Sequence, residues 1–121
     1  MNKRIMVLDD DEDILEIITY LLIEENYEVY SRNNALNLLE DIRNFQPNLL
    51  LMDVLLGEQN GMELCSMLKQ QDETRKLPVI LISGTHNLSD SLSCYGAPND
   101  FLAKPFDVAA LLQKVEKCLH S

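Results

Sequence analysis

Short apolar runs alternate along the chain with stretches in which apolar residues recur every three or four positions. The runs predict five strands, at residues 5–8, 28–31, 49–52, 79–82 and 101–103. The helical spacing predicts five helices: one over about 13–25, one carrying Leu36, Leu39 and Ile42 and closed before Pro47, one from Met62 to Leu68, a weak one near 88–95, and one from Val108 to Leu119. Such alternation indicates a parallel sheet built from right-handed βαβ units.

The runs at 5–8, 49–52 and 79–82 are apolar at every position, as expected for strands covered by helices on both faces. The predicted fold class is therefore α/β, with a doubly wound five-stranded parallel sheet flanked by five helices. Because 121 residues suffice for one hydrophobic core, residues 1–121 are expected to form a single domain. The Met1 start favours a true N terminus, and whether another domain follows stays open.

The formal net charge is -10, from 20 acidic and 10 basic residues. Such a surface repels nucleic acid and anionic membranes, so we expect neither as a direct partner. The apolar run Ile5–Leu8 is too short for a signal peptide, and no stretch is long enough to span a bilayer. Cys65, Cys94 and Cys118 are odd in number and widely spaced, which favours reduced thiols in a cytoplasmic protein.

Chemically distinctive residues follow four of the predicted strands. They are Asp9 and Asp10 after the first strand, Asp53 after the third, Ser83 and Gly84 after the fourth, and Lys104 and Pro105 after the fifth. In an open parallel α/β sheet, ligands bind beyond the carboxyl ends of the strands. We therefore expect three carboxylates, a hydroxyl and an ammonium group to meet at one edge of the sheet.

Three neighbouring carboxylates repel one another and tend to hold protons unless a cation neutralises them. A few carboxylates plus water suit Mg²⁺. A carboxylate beside Mg²⁺ can act as a nucleophile toward a phosphoryl group, whose oxygens then need the metal, an ammonium group and a hydroxyl as partners. The residues after the strands provide the carboxylates, the ammonium group and the hydroxyl.

Each residue taken singly has a simpler interpretation. An acid after a strand is usually a helix cap or a solvated loop residue, and Asp11–Asp13 are typical of the first turn of a helix. Ser83 alone could be a loop hydroxyl, Lys104 a surface charge and Pro105 a helix starter. Their joint occurrence after four strands of one sheet favours a shared site.

This ordered set resembles the receiver domain of two-component response regulators, over essentially the whole chain. The motifs that carry the resemblance are Val7–Asp11, Leu51–Leu56 with Gly61 eight residues past Asp53, Pro78–Gly84 and Asp100–Phe106. The resemblance implies a flavodoxin-like, CheY-like fold with strand order 2-1-3-4-5. It also implies a signalling phosphoacceptor rather than an enzyme with an external substrate.

By this resemblance Asp53 is the phosphoacceptor. Asp10 and Asp53, with the backbone carbonyl of Leu55, would ligate Mg²⁺ directly, whereas Asp9 would act mainly through water. Mn²⁺ is the expected substitute for Mg²⁺. Lys104 would pair with Asp53 or with the phosphoryl group.

The resemblance gives Ser83 and Phe101 the roles of switch residues. Ser83 would move to contact a phosphoryl oxygen, and the rotamer of Phe101 would follow it. Gly84 and Pro105 would support the site, with a cis Lys104–Pro105 peptide bond aiming the lysine.

The partners that the resemblance implies are a sensor histidine kinase or histidine phosphotransfer protein as donor, and a protein effector or output domain downstream. A dimer that depends on phosphorylation is a further expectation. The sequence names neither the cognate kinase nor the output.

Two departures from the family pattern bear on chemistry. Gly57 stands where the family usually has proline, which should loosen the loop without removing a chemical group. The apolar side chain of Leu55 cannot hold an attacking water by hydrogen bonding, and Thr85 is small and neutral. We therefore expect slow autodephosphorylation.

Three alternative functions belong to other classes of protein. A phosphatase of the haloacid dehalogenase type needs a second aspartate two residues after the nucleophile, where this chain has Leu55. A flavodoxin-like FMN binder needs a hydroxyl- and glycine-rich loop after the first strand, where this chain is acidic. A receiver fold that binds partners without phosphorylation is the remaining alternative.

Overall fold

The computed structural model describes residues 2–84 and 98–120. Its strands are β1 (Arg4–Leu8), β2 (Glu28–Arg32), β3 (Leu49–Asp53), β4 (Leu55–Leu56), β5 (Gln59–Asn60), β6 (Val79–Ser83) and β7 (Asp100–Ala103). The helices within these ranges are α1 (Glu12–Glu24), α2 (Leu38–Phe45), α3 (Gly61–Lys69) and α4 (Val108–Leu119). The predicted helix near 88–95 lies outside the described residues.

Five strands form one parallel sheet in the order β2-β1-β3-β6-β7. Since β6 and β7 are the fourth and fifth predicted strands, the expected order 2-1-3-4-5 is confirmed. The remaining strands, β4 and β5, pair antiparallel in a small hairpin directly after β3. The sequence pattern predicted only a loop there, because strands of two residues are too short to show an alternating pattern.

The sheet separates two hydrophobic layers, as a doubly wound fold requires. Successive residues of a strand point to opposite faces, so Met6 and Leu8 belong to one layer and Ile5 and Val7 to the other. Helices α2 and α3 cover the first layer, and α1 and α4 cover the second. Every residue of β3 and β6 is buried, which confirms the interpretation of the uniformly apolar runs.

Local side-chain contacts explain where the helices begin. The Asp11 carboxylate accepts hydrogen bonds from the N–H groups of Asp13 and Ile14 and so caps α1. This confirms the simple interpretation of the acids at 11–13 as helix-start residues. Asn60 caps α3 in the same way, and Asp107 caps α4.

None of the helices in the described part of the chain is long and apolar enough to cross a membrane.

The expectation that Leu36 lies on the apolar stripe of the second helix is wrong. Helix α2 begins at Leu38, and the Leu36 side chain is 76% exposed. Asn34 accepts a hydrogen bond from the Leu36 N–H through its side chain, and this Asx turn keeps the segment out of the helix. Ala35 is buried in place of Leu36.

Two leucine-to-alanine substitutions should separate the two positions. Leu38→Ala removes a side chain that is only 4% exposed, and it should lower the free energy of unfolding by about 2–5 kcal/mol. Leu36→Ala removes little buried surface and should change the free energy of unfolding by less than about 0.5 kcal/mol. Urea denaturation of both variants measures the difference, and equal losses would contradict the observed start of α2.

Candidate functional site

The carboxyl ends of β1 and β3 bring three carboxylates together. One oxygen from each of Asp9, Asp10 and Asp53 lies within 4.8 Å of the others. Asp9 and Asp53 are buried, whereas Asp10 is exposed. The strand register explains why these carboxylates lie close together. Leu8 pairs with Met52, and the residue that follows each of them in the chain is an aspartate. The three aspartates predicted from the strand ends therefore do converge.

Lys104 provides the positive charge. Its Nζ lies 2.7 Å from Asp53 Oδ2 and 3.0 Å from Asp9 Oδ2. Burial acts to lower the pKa of Lys104, but its hydrogen bonds and charge interactions with the two aspartates outweigh burial and raise it. The lysine is therefore held as a cation between two carboxylates.

The position of Asp9 disfavours the charged form of its carboxylate. Burial raises the pKa of Asp9, and the negative charge of Asp53 acts in the same direction. The Asp11 N–H, which donates to Asp9 Oδ1 at 2.9 Å, and the Lys104 ammonium oppose the rise only in part.

The site also fits a hard divalent cation. Asp9 Oδ2 is buried, and apart from its ion pair with Lys104 it has no hydrogen-bond partner within the described ranges. Three carboxylates facing one ammonium leave an excess of negative charge. All the candidate ligands are oxygens, the ligand type that Mg²⁺ and Mn²⁺ prefer.

Backbone contacts hold the strand ends that carry the reactive groups. The N–H of Leu55 donates to Asp53 Oδ1 at 3.0 Å, and the N–H of Lys104 donates to the Ser83 carbonyl at 2.8 Å. The Lys104–Pro105 peptide bond is cis, as the resemblance implied. Pro105 does not start a helix, since α4 begins at Val108.

The other predicted residues lie at or near the same edge. Ser83 is the buried last residue of β6, in register with Ala103 of β7. Gly84 follows it and is exposed. Phe101 is half-buried on β7 and packs against the layer covered by α2 and α3. Thr85 lies outside the described residues.

The structure explains why position 61 is a glycine, which the spacing from Asp53 alone did not. A Cβ atom at this position would lie 2.3 Å from the Asp53 carbonyl oxygen and 2.9 Å from the Val54 Cα. The Gly61 N–H donates to the Val54 carbonyl at 2.7 Å. The start of α3 is thus packed directly against the backbone of the central aspartate.

One contact in the site could not be predicted from the sequence. The N–H of Gly57, in the turn of the β4–β5 hairpin, donates to Asp10 Oδ2 at 3.1 Å. Gly57 was expected only to loosen this loop, but it supplies a hydrogen-bond donor to a site carboxylate. No residue-type signal marks such a contact, because every residue except proline carries an N–H.

Fold and site together define a CheY-like α/β domain with an acidic pocket at the carboxyl edge of its sheet. The family model for the response regulator receiver domain matches residues 5–116, and the chain belongs to this family. Such domains are the signalling receivers of two-component systems rather than conventional enzymes.

Individual relatives agree with this assignment. The chain is 30% identical over 115 residues to the heme response regulator HssR of Staphylococcus saprophyticus, covering 94% of this chain and 50% of that protein. It is 29% identical over 120 residues to the polar-differentiation response regulator DivK of Brucella anthropi, covering 98% of both chains. The chain thus spans about half the length of several curated relatives, including HssR.

A solved structure supports the fold. The CheY-like receiver domain protein from Methanospirillum hungatei has a TM-score of 0.87 and 30% sequence identity, covering 98% of this chain and 94% of that one.

A pair of glycine-to-alanine variants tests the tight packing against Asp53. Gly61→Ala places a methyl group on the Asp53 backbone, and the overpacking should lower the free energy of unfolding by about 1–3 kcal/mol. Gly84→Ala is the matched control, since among the described residues its Cβ would meet nothing closer than the Lys104 Cβ at 4.0 Å. Equal stability of the two variants in urea denaturation would contradict the close approach.

Proposed function

We propose that the chain accepts a phosphoryl group on Asp53 in a reaction that depends on Mg²⁺. The observation that carries this proposal is the surroundings of the Asp53 carboxylate. One oxygen accepts the Leu55 N–H, the other accepts the Lys104 ammonium, and carboxylate oxygens of Asp9 and Asp10 lie within 4.8 Å. A nucleophile, a cation and a metal-binding oxygen cluster therefore share one buried edge.

We assign the metal to Asp10, Asp53 and the backbone carbonyl of Leu55, with Asp9 acting mainly through water. When bound, the metal supplies positive charge for the phosphoryl oxygens and neutralises the carboxylates. Asp9 Oδ2 has no partner other than Lys104 within the described ranges, and this and the excess of negative charge support the assignment. Mn²⁺, with similar ligand preferences, should substitute.

In the proposed transfer, an Asp53 carboxylate oxygen attacks the phosphorus of a phosphohistidine. The new oxygen–phosphorus bond forms as the phosphorus–nitrogen bond breaks, and the departing imidazole takes up a proton. Lys104 then moves its charge from the carboxylate to a phosphoryl oxygen, and the Ser83 hydroxyl contacts another. The donor would be a sensor histidine kinase or a histidine phosphotransfer protein.

Phosphorylation would then shift the chain between two states. Ser83 ends β6 and Phe101 lies on the neighbouring β7, so a movement of Ser83 toward the phosphoryl group can be followed by Phe101. Gly84 and Pro105 flank these groups as supporting residues.

The partner that recognises the phosphorylated state would be a protein effector, an output domain or a second copy of the chain. The net charge of -10 argues against direct nucleic-acid binding.

Intact-mass measurement with acetyl phosphate tests the acceptor. The wild-type chain should gain one phosphoryl group in the presence of Mg²⁺ and none in EDTA. Asp53→Asn keeps the size of the side chain and removes the nucleophile, so it should gain none. A folded wild-type chain that stays unmodified with Mg²⁺ would instead indicate a receiver fold that binds partners without phosphorylation.

The lifetime of the phosphorylated state provides a second test. Leu55 is 61% exposed beside Asp53 and offers no hydrogen bond to an attacking water, so loss of the phosphoryl group should take minutes or longer. Leu55→Asn adds a side chain that can hold this water and should accelerate the loss by several-fold, whereas Leu55→Met should not. A wild-type half-life of only seconds, followed by mass measurement, would refute slow hydrolysis.

A further inference from the structure

The hydrogen bond between Gly57 and Asp10 joins two loops that are 47 residues apart in sequence. Asp10 follows β1 and is exposed, whereas Gly57 lies in the turn between β4 and β5. Within the described part of the chain, this is the one hydrogen bond that the Asp10 side chain accepts. Asp9 and Asp53 are, by contrast, both held by Lys104.

The geometry of the hairpin leaves the Gly57 N–H available. Leu56 pairs with Gln59, so Gly57 and Glu58 are the two central residues of the turn. Gly57 has a φ of 63°, a positive value that the tight turns of two-residue hairpins commonly need and that glycine adopts without strain. A central residue of such a turn takes no part in the ladder hydrogen bonds of the two strands, and its N–H can therefore point to another partner.

We propose that the Gly57 N–H is a positioning group that orients Asp10 for the divalent cation. It binds Oδ2 and leaves the other carboxylate oxygen for the metal. Carboxylates that ligate metals are commonly held by such hydrogen bonds, and losing one typically weakens metal binding. The inference rests on the proposed function, because it requires that a cation binds at this site.

The consequence follows from the presence of glycine at position 57. The proline that the family usually carries at this position has no N–H and could not make this contact. Replacement by glycine therefore supplies a donor as well as removing a ring. The affinity for the cation becomes dependent on the conformation of the hairpin, because an exposed carboxylate without this bond is free to leave the cluster.

Mn²⁺ titration of the unphosphorylated chain, followed by electron paramagnetic resonance of the free ion, tests the proposal. Gly57→Pro deletes the N–H and should weaken Mn²⁺ binding about tenfold. Gly57→Asn is the control that keeps the N–H: asparagine adopts a positive φ more readily than most residues with a side chain, so this variant should lose much less affinity than Gly57→Pro. Thermal unfolding in EDTA checks that all three chains are folded.

Because proline also forbids the observed φ, a second variant isolates the donor. A backbone ester at position 57, with glycolic acid in place of glycine, removes the N–H and keeps the freedom of the turn. It should show the same loss of affinity as Gly57→Pro. Wild-type affinity in the ester variant, or equal losses in Gly57→Asn and Gly57→Pro, would overturn the positioning role alone. A wild-type chain that binds no Mn²⁺ would overturn the proposed metal site and the positioning role together.

Discussion

The structure depends on one electrostatic arrangement: two buried carboxylates share a single ammonium group. Lys104 follows β7, whereas Asp53 ends β3, and β6 lies between these strands. Two strand spacings are about 10 Å, so the lysine must reach across the end of β6. It can do so because β6 ends at the small residue Ser83, Gly84 follows, and the Lys104 N–H is hydrogen-bonded to the Ser83 carbonyl. The charges of the site are therefore set by the order of strands in the sheet.

The uniformly apolar strands help to hold this arrangement in place. A carboxylate can be kept buried and charged only if its position is fixed against a partner, since an unpaired buried charge is costly. The layers on the two faces of β1 and β3 provide that rigidity, and the approach of Gly61 to the Asp53 carbonyl closes the remaining side. One ammonium leaves the three carboxylates incompletely neutralised, so the fold is built around a negative pocket that a cation would stabilise.

Most of this could be predicted from the sequence, because strong signals coincide. Apolar runs that stop abruptly at Asp9 and Asp53 fix both the strands and the edge at which chemistry gathers. The failures have physical causes. Leu36 has helical spacing, but an Asx turn at Asn34 delays the helix, and local hydrogen bonds of this kind compete with apolar periodicity. The β4–β5 hairpin is too short for periodicity, and contacts made by backbone N–H groups leave no trace in residue type.

The backbone and the side chains of the β4–β5 hairpin contribute to the site in different ways. Its backbone contacts two different carboxylates, through the Leu55 N–H to Asp53 and the Gly57 N–H to Asp10. The Leu55 side chain, by contrast, is mostly exposed. Side chains on the hairpin can therefore change without removing the donors that orient the carboxylates. Under the proposed function, metal binding would depend on the backbone of the turn, whereas phosphoryl lifetime would depend on the Leu55 side chain. Substitutions at Leu55 could then alter the duration of a signal without altering the affinity for the cation.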